Sequence, residues 1–446
     1  MALTALEIYK NLPKTNCKEC GFPTCLAFAM QIAQKKVELG KCPHVSEAGK
    51  AALEGASAPP IRLVTIGAGG KKLQIGQETV LFRHEETFHH PAGLAIEVSD
   101  ALGDAELDAA IREVDALQFE RVGTTIEIDL LALRHESGDP ARFRQAAEKA
   151  KAGCRYPLVL MSEDPEALAQ ALEATKDDKP LVYAATHDNY EKVAALAKAA
   201  ACPLAVRAEG PEELADLTQK VAALGVQDLV LDPGSASLAK GLADHTTIRR
   251  AALRKTYRAL GYPTIAFAAS GDPYQETAEA ATYMAKYAGI VVMKGRERWQ
   301  IMPVLTARYN IYTDPQKPIQ VQPGVYAIGD VTPNSPVLLT TNFSLTYYTV
   351  AGDVENSRVP SYIVVADTEG TSVLTAYASE KLTADRVAAM LTEDGGIKDK
   401  VSHKKIIIPG LIAVMTAKLK DNSGWDVVVG PKESAGIPKL LRAWSA

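Results

Sequence analysis

Four of the six cysteines in this 446-residue chain, Cys17, Cys20, Cys25 and Cys42, are spaced C-x2-C-x4-C-x16-C. Close spacing of this kind gathers several thiolates around one centre, with Gly21 easing the turn between them. The fourth thiolate returns from beyond a short helix expected over residues 26–39, with Phe28, Ile32 and Val37 turned inward. Pro43 directly follows the last cysteine, a familiar companion of iron–sulfur ligands. Zinc sites instead favour two well-separated close pairs, and disulfides are rare in a reducing compartment. The chemistry expected is therefore one-electron transfer at a [4Fe-4S] cluster. Cys154 and Cys202 stand alone near expected strands and read as buried structural thiols.

The elements that position this centre begin with a linker. Residues 46–60 lack an apolar stripe and end on Pro59 and Pro60, so the cluster domain is free to move against the rest of the chain. Short extended runs at residues 62–67, 72–75 and 79–82 then suggest a hairpin or small meander. The glycines at 67, 69 and 70, followed by Lys71, lack the spacing of a phosphate loop and read as a turn.

From residue 94 apolar runs alternate with stretches of helical length, such as 165–174 and 190–199. The runs are 94–98, 119–123, 157–161, 180–184, 203–206, 228–231, 263–267 and 289–292. Eight strand–helix units over about 200 residues predict a closed (α/β)8 barrel of the TIM type. Polar residues follow several strands: Ser99 and Asp100, Ser162 and Glu163, Thr186 to Asp188, Arg207, and Asp232 to Ser235. Barrels place working groups there, yet no tight acid/base or metal set stands out, and helix caps explain most of them.

A third unit starts near residue 311. Strands at 325–328, 362–366, 405–408 and 426–429 alternate with helices at 381–391, 411–420 and 437–444, which predicts an open, parallel, doubly wound sheet of flavodoxin or Rossmann character. Ligands lie beyond the carboxyl ends of such strands. Those segments here are 330–346, 367–375, Pro409 with Gly410, and Gly430 with Pro431 through Ala435 and Gly436. They are rich in Gly, Ser, Thr and Ala, which lets a backbone come close to a large flat ligand. The expected divisions are residues 1–58 for the cluster domain and linker, 59–310 for the barrel with its hairpin, and 311–446 for the open α/β domain.

Bulk properties narrow the partners. The net charge is only -5, without blocks of like charge, which argues against nucleic acid. No apolar run reaches the roughly 18 residues of a membrane span, and the start lacks a signal-peptide pattern, so the cytoplasm is the expected location. The segment 323–330 resembles half of a flavin motif, but the chain has no GxGxxG to complete it.

Cluster domain, barrel and open α/β domain in this order resemble the large (gamma) subunit of the corrinoid iron–sulfur protein of the acetyl-CoA pathway. The resemblance spans the chain and is most specific at the four cysteines and at the loops 340–346, 368–375 and 430–436. It implies a cobamide in the C-terminal domain, with Thr340, Thr346, Gly370, Thr371, Ser372, Val373 and Ala435 against the corrinoid, and Leu374 and Thr375 under its lower face. It also implies a methyl carrier. Co(I) takes methyl from methyl-tetrahydrofolate or a related pterin through a methyltransferase and delivers it to acetyl-CoA synthase. The cluster returns Co(II) to Co(I), fed by a low-potential donor such as ferredoxin. The expected partner is a smaller barrel subunit in a heterodimer. None of the eight histidines has Asp two residues before it, as the D-x-H-x-x-G signature requires, so the cobamide is expected to bind without a histidine ligand to cobalt. The competing reading is an iron–sulfur electron-transfer protein with a flavin or nucleotide in the C-terminal domain; a third has the barrel itself bind the methyl-pterin.

Overall fold

The computed structural model describes residues 5–33, 37, 39–46, 49, 59–70, 72–86, 88–121, 123–313 and 318–444. Most of the linker expected over 46–60 lies outside them. The chain divides into two compact units, one of residues 1–117 and 128–312, the other of residues 118–127 and 313–446.

In the first unit, helices Ala5–Lys10 and Cys25–Ala33 frame a small apolar cluster of Ile8, Leu12, Phe28, Ala29 and Val45. An antiparallel pair comes next, β1 (Val64–Ile66) and β2 (Leu73–Ile75). The third extended run, 79–82, forms no strand. The barrel begins with β3 (Gly93–Ser99). Here the structure corrects the expected order of strands. Residues 118–127 form a separate antiparallel hairpin, β4 (Gln118–Arg121) and β5 (Thr124–Glu127), which belongs to the second unit. Its burial alternates, with Phe119 and Ile126 inward, as a two-stranded ribbon requires.

The second barrel strand is β6 (Leu130–Arg134), whose run of Leu130, Leu131, Ala132 and Leu133 is buried throughout. Then come β7 (Leu158–Met161), β8 (Leu181–Ala185), β9 (Leu204–Arg207), β10 (Leu229–Asp232), β11 (Ile265–Phe267) and β12 (Ile290–Met293). All eight pair in parallel in the order β10-β9-β8-β7-β6-β3-β12-β11, and a bridge from Leu231 to Thr264 joins the two ends. Asp–Pro pairs start several intervening helices. Asp139, Asp164 and Asp272 accept from Ala141, Glu166 and Gln275 N–H, while the proline after each occupies the first turn, where its missing N–H costs nothing.

Strand periodicity fills the lumen. Ala95, Ala132, Val159, Leu181, Ala205, Val230, Ile265 and Ile290 share one core cluster, to which Val64, Ile66, Leu73 and Ile75 of the first hairpin also belong. One step of two residues further along each strand lie Glu97, Arg134, Met161, Tyr183, Arg207, Asp232, Phe267 and Val292, then Lys294. The same inward parity that packs the core thus carries a ring of polar groups to the carboxyl ends of the strands.

The second unit holds a five-stranded sheet of β13 (Gly324–Ile328), β14 (Val337–Thr341), β15 (Ser361–Ala366), β16 (Lys405–Ile408) and β17 (Asp426–Val429), in the order β13-β15-β14-β16-β17. Two expectations change. The edge strand β13 runs antiparallel to β15, and a fifth strand, β14, lies at the centre within the segment expected to be loop. Helices cover both faces. Val337, Leu339 and Val364 pack with helix Ala384–Thr392, and Leu338, Ile363 and Val365 pack with Ser344–Ser357 and Ile437–Arg442. No described helix is long and apolar enough to cross a membrane.

Candidate functional site

Three regions concentrate chemistry, and the first is the cysteine segment. Cys25 and Cys42 are buried, and both pack with half-buried Cys20 in the cluster of Ile8, Leu12 and Phe28. Cys17 is exposed, and its thiol, a Glu19 oxygen and a His44 nitrogen lie within 4.8 Å of one another. The loop is shaped by its backbone. Asn16 Oδ1 accepts from Cys25 N–H at 2.8 Å, Gly21 N–H donates to Lys18 at 2.9 Å with φ +83, and Cys42 N–H donates to Leu39 at 3.1 Å. Asn16 is a residue that sequence reasoning passed over. It ties the coil before the first cysteine to the helix that begins at the third. Thiolate donors in an apolar pocket at a helix start suit a soft metal centre.

The second region lies at the carboxyl ends of β14, β16 and β17. A cavity of about 200 Å³ is lined there by Thr340, Thr346, Ser372, Val373, Leu374, Gly430 and Pro431, with Leu338, Val350, Ile407 and Pro409 among its other walls. Gly370, Thr371, Thr375, Gly410, Ala435 and Gly436 do not line it. They shape the neighbouring loops instead. Gly370 takes φ +72, and a Cβ there would meet Gln320 and Pro318. A Cβ on Gly410 would stand 2.6 Å from the Gly430 carbonyl, so the loops after β16 and β17 meet backbone to backbone. Thr340 lies within a strand, one residue before its end, and Thr346 lies on the helix after it, rather than both in one loop.

The hub of this region is Asn342. It is buried, and its Oδ1 accepts from Thr368 N–H, the Thr368 hydroxyl and Gly370 N–H, each at 3.0 Å. Its amide donates to Gln320 and Asp367 at 3.1 Å. One side chain after β14 therefore fixes the loop after β15. Around the cavity, Leu374 is 54% exposed and Val414 74%, beside exposed Leu411 and Val429. The hydroxyls of Thr340 and Thr341 are buried with no hydrogen-bond partner. An apolar, glycine-bounded surface with orphaned hydroxyls fits a broad ligand that brings its own polar edge. A cobamide, a flat macrocycle edged with amides, is such a ligand. None of the lining residues is a histidine. His403 is engaged elsewhere, bonding the Ser335 carbonyl at 2.9 Å through Nε2 and Lys405 N–H at 3.1 Å through Nδ1.

The third region is the barrel mouth, where the structure brings together more than the sequence disclosed. Of the polar strand-end residues expected, Asp100 serves as a loop clamp, accepting from Glu136 N–H, Ser137 N–H and the Ser137 hydroxyl. Ser162, Glu163, Arg207 and Asp232 to Ser235 line a cavity of about 670 Å³. Glu97, Arg134, Tyr183 and Lys294 join them, unmarked in sequence because each is a single residue on, or for Lys294 directly after, its own strand. Burial raises the Asp232 carboxyl above its ordinary range, with the Tyr183 hydrogen bond pulling the other way. Burial likewise pushes the lone thiols Cys154 and Cys202 up to about 11, which suits inert structural residues.

Comparison with known proteins bears on the first two regions directly. The family described as "CO dehydrogenase/acetyl-CoA synthase delta subunit" matches residues 63–441, and that described as "Putative Fe-S cluster" matches residues 12–44. The corrinoid/iron-sulfur protein large subunit of Moorella thermoacetica is 48% identical, over 99% of each chain. The acetyl-CoA decarbonylase/synthase complex subunit gamma of Methanothermobacter thermautotrophicus is 41% identical, again over 99% of each chain.

Proposed function

The chain belongs to the family of corrinoid/iron-sulfur protein large subunits and acetyl-CoA decarbonylase/synthase gamma subunits, and from that premise we propose that it is a methyl carrier. In this reading a methyltransferase loads it from methyl-tetrahydrofolate or a related methyl-pterin, and acetyl-CoA synthase unloads it. A smaller barrel subunit pairs with it, a ferredoxin-like donor feeds it electrons, and it works in the cytoplasm. When bound, the cobalt of a cobamide supplies methyl-transfer chemistry, and a [4Fe-4S] cluster supplies single electrons to keep the cobalt reduced.

The chain's own residues do the holding. Cys17, Cys20, Cys25 and Cys42 are the cluster ligands. Leu374, which lines the cavity, would lie beneath the macrocycle with Thr375 next to it on the same helix, so that an apolar side chain would stand where a histidine could offer a nitrogen donor. Thr340, Thr346, Ser372 and Val373, which line the cavity, would meet its edge; Gly370, Thr371 and Ala435 would reach it only from the neighbouring loops, and Gly410, Gly430, Pro431 and Gly436 would keep those loops low enough for it to approach. The observation that carries the reading is the glycine-bounded cavity beside the unpartnered Thr340 and Thr341 hydroxyls.

The test is metal analysis with a visible spectrum on protein purified without oxygen from cobamide-supplied cells. About four irons and one cobalt per chain, with corrinoid bands, are expected for a Cys₄ cluster and one macrocycle. Cys42→Ser should lose the iron and keep the cobalt. Gly410→Val, whose Cβ would stand 2.6 Å from the Gly430 carbonyl, should do the reverse. Iron without cobalt would move the C-terminal unit to the flavin or nucleotide reading.

A further inference from the structure

The cavity at the carboxyl ends of β14, β16 and β17 has one feature that neither its glycines nor its orphaned hydroxyls explain. Its walls are uncharged except at one point. Of the residues that line it, Lys432 alone carries a charge, and no carboxylate joins it there. The barrel mouth, by contrast, sets Glu97, Glu163 and Asp232 against Arg134, Arg207 and Lys294. Elsewhere in the second unit Lys381, Lys398, Lys418 and Lys420 pair with Glu369, Asp394, Asp385 and Asp426. Lys432 has no such partner among the described residues. Its neighbour in sequence, Glu433, is exposed and does not line the cavity. An uncompensated ammonium on an apolar rim attracts an anion to that rim.

The segment that carries Lys432 is held in place on both sides. Gly410 N–H donates to the Pro431 carbonyl at 3.0 Å, and Gly430 N–H donates to the Ile408 carbonyl at 2.8 Å. A Cβ on Gly436 would stand 2.7 Å from the Pro431 ring, so the chain folds back closely after the lysine. Ser434, two residues on, lines the same cavity and offers a neutral donor beside the charged one. A lysine and a serine on a pinned loop can hold a small anion without first ordering the backbone.

Cobamides match this asymmetry, and the inference rests on the carrier reading. Their edge is mostly amides, which are neutral and suit hydroxyls such as those of Thr340 and Thr341. They also carry one permanent anion, the phosphodiester in the arm that joins the macrocycle to the nucleotide of the lower base. We propose that Lys432, with Ser434 beside it, binds the phosphate of this nucleotide arm. The loop after β17 then discriminates corrinoids that carry the phosphate from those that lack it.

Anaerobic equilibrium dialysis of the full chain, from cells grown without cobamide, tests this with bound cobalt as the readout. The probes are cob(II)inamide and cob(II)inamide phosphate. They share the macrocycle and its amides, neither has a lower base, and only one has the phosphate. The parent should bind the phosphate form about tenfold more tightly. Lys432→Met keeps a long side chain but removes the charge. It should cut the preference to about twofold or less, and leave cobinamide affinity within about twofold of the parent's. Lys432→Arg should keep the preference, and raising salt from about 0.05 to about 0.5 M should lower it in the parent and not in Lys432→Met. Equal affinity of the parent for both probes would overturn the phosphate contact and leave the carrier reading standing. A preference that survives in Lys432→Met, or a loss that strikes both probes alike, would overturn it as well. If neither probe binds to a chain that retains its iron, the carrier reading itself falls, and the proposal with it.

Discussion

The two sheets of this protein obey one rule and arrive at opposite sites. In both, a cavity opens at the carboxyl ends of parallel strands, where helix starts and loops converge. The barrel closes on itself, so every strand sends one inward residue to the same mouth, and eight strands can assemble a balanced ring of charges. The open sheet has no such convergence. Its cavity is made by taking side chains away, with Gly370, Gly410 and Gly430 letting loops approach and Leu374 and Val414 left in the open. A closed sheet thus recognises by what its side chains present, an open one by the space its backbone leaves.

If that contrast holds, the open-sheet site depends on one structural hub, whereas no single residue carries the barrel mouth. Replacing Asn342 by Leu preserves volume but strands two backbone N–H donors in the interior, those of Thr368 and Gly370, while the Thr368 hydroxyl keeps the Thr371 carbonyl at 3.0 Å. At about 1–3 kcal/mol for each of the two stranded groups, the expected loss is roughly 2–6 kcal/mol, together with the ordered loop after β15. Urea unfolding and peptide-resolved hydrogen exchange over residues 367–375 would measure it. A loss below about 1 kcal/mol would mean that the loop holds its own shape and that the asymmetry between the sites is false.

Acid should separate the units in the other direction. His245, on the barrel helix Leu238–Lys255, is buried against Tyr283 with Nδ1 at 2.9 Å from the Thr264 hydroxyl, and burial lowers its pKa to about 4 against the pull of Asp244. A histidine whose folded pKa lies below its unfolded 6.5 favours the fold fully above pH 6.5. That contribution drains away as pH falls toward 4, by about 3 kcal/mol in all. His245→Gln, which can still meet Thr264, should remove this slope. Hydrogen exchange at pH 7, 5.5 and 4.5 should show the parent's barrel amides losing protection faster than the variant's, with the C-terminal sheet unaffected by the substitution. Identical pH dependence in parent and variant barrels would show that His245 takes up its proton without opening the fold.

The same contrast governs how much was legible in the sequence. Seven of the eight barrel strands could be read because their apolar runs are separated by stretches of helical length, three of the barrel helices having Asp–Pro starts. Leu130–Arg134 was missed because its uniformly buried run comes only two residues after an alternating hairpin, and the hairpin took its place. Val337–Thr341 was missed because its two final threonines blend into the small-residue segment that flagged the site. That segment was readable since an apolar cavity built by glycines leaves a local compositional trace. The barrel ring left none. Glu97, Arg134, Tyr183 and Lys294 are scattered over about 200 residues, and only strand parity and barrel closure bring them together. Asn342 was equally hidden, since its three acceptances reach residues 26 to 28 positions away.

The smallest expected effect tests whether the barrel ring exists for stability at all. Glu163 and Arg207 pair closely at the mouth, yet their side chains are 53% and 44% exposed. Water screens such a pair, and holding two long side chains in one geometry offsets much of the attraction, so exposed pairs contribute about 0–1 kcal/mol. Glu163→Gln should therefore shift unfolding by less than about 1 kcal/mol and leave the salt dependence of stability flat. A flat result fits a ring whose outer members are spare to the fold and available to a ligand. A loss of about 2 kcal/mol or more would exceed what a screened pair supplies, and would place the ring within the structural frame of the barrel, like Asp100 in its loop.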